Sequence, residues 1–173
     1  MTTFRIGGVA KQLIEIENEE ELAAIFNWIK ENEVKWIILA GGSNVLVNDK
    51  GFDGLVILIR NNDVVAKGDR IECGCGCSFS SVITTATSHA LAGLEWAIGI
   101  PGSIGGAVRG NAGAYGGSVS DVVELINVYD IEKDKFEIFS NKDCEFIYRG
   151  SIFKNDETRN RYIVWRIVLR LHQ

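Results

Sequence analysis

The segment from Gly93 to Gly117, GLEWAIGIPGSIGGAVRGNAGAYGG, constrains this chain more than any other. It carries nine of the 19 glycines and the only proline, and its only charged groups are Glu95 and Arg109. Glycine makes poor helices and poor strands because it loses more backbone freedom on ordering than any other residue. Two situations suit such a stretch. One is a set of tight turns packed in a core. The other is a backbone laid close to something large, with side chains removed to make room and N–H groups left free to donate. A bound cofactor is the natural candidate for the second.

A chain of 173 residues makes one domain or two small ones. Its hydrophobic content of 46% is that of a globular protein rather than a disordered one. The formal net charge of −5 argues against a non-specific nucleic-acid binder, which carries a basic surface. No apolar run reaches the 18 residues of a membrane-spanning helix, and the start, MTTFRIGG, has no apolar signal core. The expectation is therefore a cytoplasmic protein with neither nucleic acid nor membrane as partner. Cys73, Cys75 and Cys77 alternate in CGCGC, which puts them on one strand face if the strand runs that far, and Cys144 stands alone. Metal sites use CxxC pairs with further Cys or His, and the only histidines are His89 and His172. No metal is expected, and the cysteines read as buried free thiols.

In chain order, LIEIE (13–17) alternates as a half-buried strand does. Asn18 with Glu21 reads as a helix cap, and Leu22, Ile25, Phe26 and Ile29 form one apolar stripe, with Trp28 beside it. WIILA (36–40) is continuous and apolar, as a strand covered on both faces is, so the three pieces predict a βαβ unit. Gly41, Gly42, Ser43 and Asn44 then make a sharp loop before a strand-like VLV (45–47). Successive N–H groups in such a turn form an anion-binding concavity that a phosphate or pyrophosphate would fit; a plain tight turn is the alternative. The loop is no Rossmann fingerprint, which needs GxGxxG entering a helix, and a GxxxxGK[ST] loop is absent.

LVILI (55–59) predicts another buried strand, Val64–Val65 a short one, and the run from Arg70 a further one. A soft boundary falls after Lys67. Ser78 or Ser80 caps a helix reaching residue 90, with Val82, Ile83, Ala86 and Ala90 on its buried side and His89 near its end. Residues 122–130 and 135–140 predict a hairpin, and 161–172 a long last strand with Arg166, Arg170 and His172 on a solvated face.

Four segments together resemble one family: TFRIGG near the start, AGGSNVLVNDKGFDGLVI (40–57), GLEWAIGIPGSIGGAVRGNAGAYGG (93–117) and CEFIYRGSIFK (144–154). Their order and spacing are similar to those of bacterial UDP-N-acetylenolpyruvoylglucosamine reductases. The resemblance implies an α+β, two-subdomain FAD-binding fold of the vanillyl-alcohol-oxidase (PCMH) type. The first subdomain would be 1–67, a small α/β unit, and the second 68–173, mainly antiparallel sheet plus a helix. It implies that Gly41, Gly42, Ser43 and Asn44 hold the FAD diphosphate, and that Ser103, Ile104, Gly105, Gly106, Asn111, Gly113 and Ala114 line the cofactor. It implies NADPH as reductant and a UDP-sugar substrate, UDP-N-acetylglucosamine enolpyruvate, reduced to UDP-N-acetylmuramate for peptidoglycan. The family's Tyr-Arg pair falls on Tyr148 and Arg149, with Arg149 beside flavin and substrate. The chain departs from the family at Ala40, where glycine is usual, and at Gly110, where methionine is usual. No segment after YIVWRIVLRL matches the family's substrate domain with its proton-donating serine and late glutamate, so a partner chain could supply them; a flavin module with another substrate is the other reading.

Overall fold

In the computed structural model, which describes residues 2–173, the chain opens with β1 (Ala10–Ile16), beginning three residues before the alternation at 13–17. Helix α1 (Glu19–Asn32) starts where the cap predicts: the Asn18 side chain accepts the Glu21 N–H at 2.9 Å, and the Glu21 carboxylate accepts the Glu17 N–H at 2.8 Å. Leu22, Phe26 and Ile29 are buried, and Trp28 is exposed. Two strands follow, β2 (Trp36–Ile38) and β3 (Phe52–Ile59).

The three strands are parallel, but their order is β1-β3-β2. This corrects the expectation for WIILA. β2 is a three-residue edge strand with Ile37 exposed, and the strand covered on both faces is β3, whose residues 54–58 are buried. A short apolar run signals burial without saying where a strand stands in its sheet. VLV (45–47) forms no strand: Leu46 is exposed, and the segment runs as a loop from β2 to β3.

The second sheet begins with the hairpin β4 (Val64–Lys67) and β5 (Arg70–Gly74). β5 ends at Gly74, so Cys75 and Cys77 lie beyond it, yet all four cysteines are buried free thiols. Helix α2 (Phe79–Ser88) is capped by Ser78, whose hydroxyl accepts the Ser81 N–H at 3.0 Å. Val82 and Ala86 face inward. Ala90, expected on the buried side, is exposed with φ 53 because the helix has already ended. A His89 ring nitrogen lies 2.9 Å from the Thr85 carbonyl, closing the helix.

The glycine-rich segment is more regular than its composition predicts. Ser103 accepts the Gly106 N–H at 3.2 Å and caps a short helix, α3 (Ile104–Arg109), which buries Ile104, Ala107 and Val108 at i, i+3 and i+4. A small ribbon, β6 (Gly113–Ala114) and β7 (Gly117–Ser118), follows. Then come β8 (Val123–Asp130), β9 (Lys135–Ser140) and β10 (Tyr162–Arg170), giving an antiparallel sheet of order β4-β5-β10-β8-β9. Arg166 and Arg170, expected to be merely solvated, make ion pairs with Asp63 and Asp69.

One core fills the space between this sheet and helices α2 and α3. A second lies under α1, where Ile16, Leu55 and Ile57 of the first sheet meet Tyr129 of β8 and Ile163 and Trp165 of β10. The two sheets therefore share a core. Its rim is set by the fully buried Asp130, whose carboxylate receives the Arg161 guanidinium at 2.9 Å and the Glu132 N–H at 3.0 Å.

Candidate functional site

Where the two sheets diverge they leave a groove of about 580 Å³, within the range of small-ligand and cofactor sites. One wall is β2 with the chain after it, Trp36 to Gly41, together with Val45 and Ile59. The opposite wall is the Cys75–Gly76 turn and the α3 face made by Gly102, Ser103, Gly105, Gly106 and Arg109. Phe153, Arg159, Asn160, Tyr162, Ile163 and Val164 close it.

The walls come close because side chains are missing. A Cβ on Gly102, which has φ +112, would stand 3.2 Å from the Ser43 hydroxyl, and one on Gly41 would stand 3.5 Å from the Gly102 Cα. Gly105 packs on Cys75, whose backbone N–H donates to the Trp165 carbonyl at 2.9 Å and whose carbonyl accepts the Gly105 N–H at 3.0 Å. These bonds seat α3 on the second sheet.

Among the described residues none of the N–H groups of Gly41, Gly42, Ser43 and Asn44 donates to a protein acceptor, and neither do those of Gly102 and Ser103. Gly42 is buried and has φ +63. Buried backbone donors are almost always paired, and Gly42 is buried with its N–H idle. Gly41, Gly102 and Ser103, whose N–H groups are also idle, line the groove beside it, an arrangement suited to an anionic ligand such as a diphosphate.

Of the residues singled out in the sequence, Gly41, Ser103, Gly105 and Gly106 line the groove. Gly42, Ser43 and Asn44 complete the loop behind Gly41. Ile104 is fully buried in the core below. Gly113 and Ala114 are in the β6–β7 ribbon, Gly113 opposite Ser118. Asn111 is buried with φ 42: its side-chain amide donates to the Ile147 carbonyl, and its carbonyl accepts the Ser120 N–H.

Tyr148 and Arg149 lie outside the groove lining. They sit on a tight turn between Ile147 and Gly150, which exchange backbone hydrogen bonds at 3.1 Å. Arg149 has φ 56, and its carbonyl accepts the Lys154 ammonium at 2.9 Å. Both side chains are exposed, with the guanidinium 5.9 Å from the Tyr148 ring centroid. Asn111 ties this turn to the end of α3.

Sequence reasoning missed the groove's arginines. Arg60, Arg109 and Arg159 line it, and no Asp or Glu does. Arg60 pairs with Glu15 at 2.8 Å and Arg159 with Asp156 at 3.0 Å. Arg109 has no carboxylate partner among the described residues. The residue is exposed by area, yet partial desolvation by the groove wall, and then the nearby Arg159, lower its guanidinium from the usual arginine value. The available signal was the single positive charge of the glycine-rich segment, Arg109, four residues after Gly105 and thus on one helical face with it.

Residues 10–132 match the family described as FAD binding domain. The chain is similar to the UDP-N-acetylenolpyruvoylglucosamine reductase of Caldicellulosiruptor saccharolyticus, with 42% identity over 157 residues, covering 90% of this chain and 50% of that protein. It is 38% identical over 173 residues to the protein of the same name from Clostridium novyi, covering 99% of this chain and 55% of that one. Among solved structures, the UDP-N-acetylenolpyruvylglucosamine reductase of Thermus caldophilus superposes with a TM-score of 0.77 at 30% identity, over 93% of this chain and 55% of that one. A cholesterol oxidase from Brevibacterium sterolicum superposes with a TM-score of 0.72 at 15% identity, over 92% of this chain and 34% of that one, a likeness of fold alone. The α+β fold of the vanillyl-alcohol-oxidase type, expected from the sequence, is the fold observed. The chain spans about half the length of the curated relatives it matches.

Proposed function

This chain belongs to the FAD binding domain family, and from that premise we propose that it is the flavin-holding part of a UDP-N-acetylenolpyruvoylglucosamine reductase. The reaction would be the NADPH-dependent reduction of UDP-N-acetylglucosamine enolpyruvate to UDP-N-acetylmuramate, a cytoplasmic step of peptidoglycan synthesis. The observation that carries the reading is the groove between the sheets, with the idle N–H groups of Gly41, Gly102 and Ser103 on its lining and the rest of the 41–44 loop behind Gly41. A dinucleotide has the size and the charge that this groove lacks.

FAD, when bound, would supply the hydride chemistry that amino-acid side chains lack. The chain's own residues would do the rest. We assign the diphosphate to the N–H groups of Gly41, Gly42, Ser43 and Asn44, with Ser103, Gly105 and Gly106 shaping the facing wall and Ile104, buried beneath it, anchoring that wall to the core. Asn111, Gly113 and Ala114 would continue that wall toward the Tyr148–Arg149 turn. In this assignment the cofactor lies between a first unit built on the three-stranded sheet and a second built on the five-stranded one; the boundary expected after Lys67 moves ahead of Val64, because β4 pairs with β5 in the second sheet.

Arg149 would face the substrate. Reduction of an enolpyruvyl group spreads negative charge onto its carboxylate. A guanidinium, always charged and fork-shaped, stabilises such charge as it develops. Its exposure supports this role, because a group that reaches out of the fold is free to meet a substrate carried by another part of the protein. Tyr148 stands beside it as a partner of the guanidinium. The remaining length of the relatives, or a partner chain, would bring the UDP-sugar to this face.

The test is the visible spectrum of the purified protein before and after anaerobic NADPH, with and without the UDP-sugar. A yellow protein that bleaches with NADPH and regains its colour with substrate is a reductase. A yellow protein indifferent to the substrate holds flavin but needs another part or another substrate. A protein colourless even with added FAD sinks the proposal.

A further inference from the structure

A diphosphate held only by backbone N–H groups is solvated but not neutralised, and the groove contains a cation placed to supply the missing charge. Arg109 is the last residue of α3, on the same helical face as Gly105 and Gly106. Helical side chains tilt toward the N-terminus of their helix, so a side chain at 109 is carried back over those two positions. Both are glycines, and nothing on the helix blocks it. Beyond them lies the 41–44 loop, whose approach to the Gly102 backbone is close enough that Gly102 has no room to spare beside Ser43.

The charge pattern agrees with this placement. The protein carries a net charge of −5, yet no carboxylate lines the groove and three arginines do. Arg60 and Arg159 are matched by Glu15 and Asp156. Arg109 is matched by nothing among the described residues, and its charged neighbour is Arg159. A guanidinium kept unpaired beside a like charge, in a groove without acids, is complementary to an anionic ligand. Ser151 fixes the base of the side chain by donating to the Arg109 carbonyl at 2.7 Å.

We infer that Arg109, with Arg159 behind it, is a specificity-determining cation that binds a phosphate of the dinucleotide in the groove. This rests on the flavin-binding reading above and adds a residue to it. The guanidinium donates to phosphate oxygens and leaves the flavin ring and the adenine to other contacts.

The experiment is a fluorescence titration of the whole chain with FAD, comparing the natural protein with Arg109→Gln and Arg109→Lys, followed by displacement of FAD with ADP and with adenosine. Charge-assisted hydrogen bonds set the expected loss in Arg109→Gln at roughly ten- to a hundredfold in FAD affinity. ADP should weaken in parallel and adenosine should not, while Arg109→Lys should recover part of the loss. An unfolding temperature close to that of the natural protein separates lost binding from lost folding. Equal losses for ADP and adenosine would mean that the side chain stacks on the base or supports the fold, and the inference is then wrong. Unchanged FAD affinity in Arg109→Gln also overturns it. If the natural protein takes up no FAD, the flavin reading itself has failed, and the inference fails with it.

Discussion

The side-chain amide of Asn111 donates to the Ile147 carbonyl at 3.0 Å, so one residue of the glycine-rich segment holds the turn that presents Tyr148 and Arg149. The same side chain accepts the Ser120 N–H at 3.1 Å, and its backbone sits at φ 42. Asparagine is one of the few side chains that tolerates this conformation. The groove wall and the exposed Tyr-Arg pair are thus coupled through a single buried amide.

Asn111→Ala leaves the half-buried Ser120 N–H without its acceptor, takes one of two donors from the Ile147 carbonyl, which keeps the Gly150 N–H, and adds backbone strain. The expected cost is about 2 kcal/mol or more, which in a chain of this size lowers the unfolding temperature by roughly 4–8 °C. Thermal denaturation checks this, and amide exchange should show protection lost over 145–150. An unchanged unfolding temperature would mean that water replaces both bonds without penalty.

Gly105→Ala and Gly110→Ala should move stability in opposite directions. A Cβ at 105 would lie 2.7 Å from the Cys75 Cβ and 2.8 Å from its carbonyl oxygen, so α3 must shift, at a cost of about 1–3 kcal/mol. At 110 the nearest atom is the Gly106 carbonyl at 3.6 Å, and φ is −92. Alanine fits there and should be neutral or stabilise by about 0.4–1 kcal/mol. Urea unfolding of the two variants decides the matter.

Asp130 should make the fold sensitive to acid. Its burial works to raise the carboxyl, but the Arg161 guanidinium and the Lys133 and Glu132 N–H groups outweigh it and hold the group below its ordinary value. A carboxyl lowered in the folded state stabilises above its unfolded value, near 4, and loses that contribution as pH falls through the folded value. Stability in urea should therefore drop below pH 4, and Asp130→Asn should be less stable at pH 7 while losing part of the acid dependence. Parallel pH profiles for the two proteins would assign the acid sensitivity elsewhere.

Arg149→Ala should leave FAD affinity unchanged, because the side chain is exposed and does not line the groove. In a preparation competent for turnover, reduction of the enolpyruvyl substrate should fall by about a hundredfold or more, the usual consequence of removing a donor to developing negative charge. Loss of FAD from this variant would instead make Arg149 a structural residue.

Features that depend on near neighbours were legible in the sequence. Asn18 and Ser78 declared the starts of α1 and α2, and the alternation over 122–140 declared the β8–β9 hairpin. Gly41 and Gly42 announced a loop that side chains could not enter. Sheet order was not legible, because what seats β3 between β1 and β2 is tertiary: β3 is apolar on both faces, and β2 is too short to be. α3 was hidden because its glycines outvote its cap, although Ile104, Ala107 and Val108 carry a helical stripe. The three groove arginines come from segments about 50 residues apart, and no spacing rule joins them.

The position of β3 has a consequence for biosynthesis. β1 and β2 pair with β3 and not with each other, so a growing chain that has delivered residues 2–50 has two strands with unpaired edges and a helix with an uncovered apolar face. β3 repairs the edges soon afterwards. The cover for Phe26, however, includes Tyr129 and Trp165, so the apolar face of α1 is closed only once strands about a hundred residues further along the chain are in place.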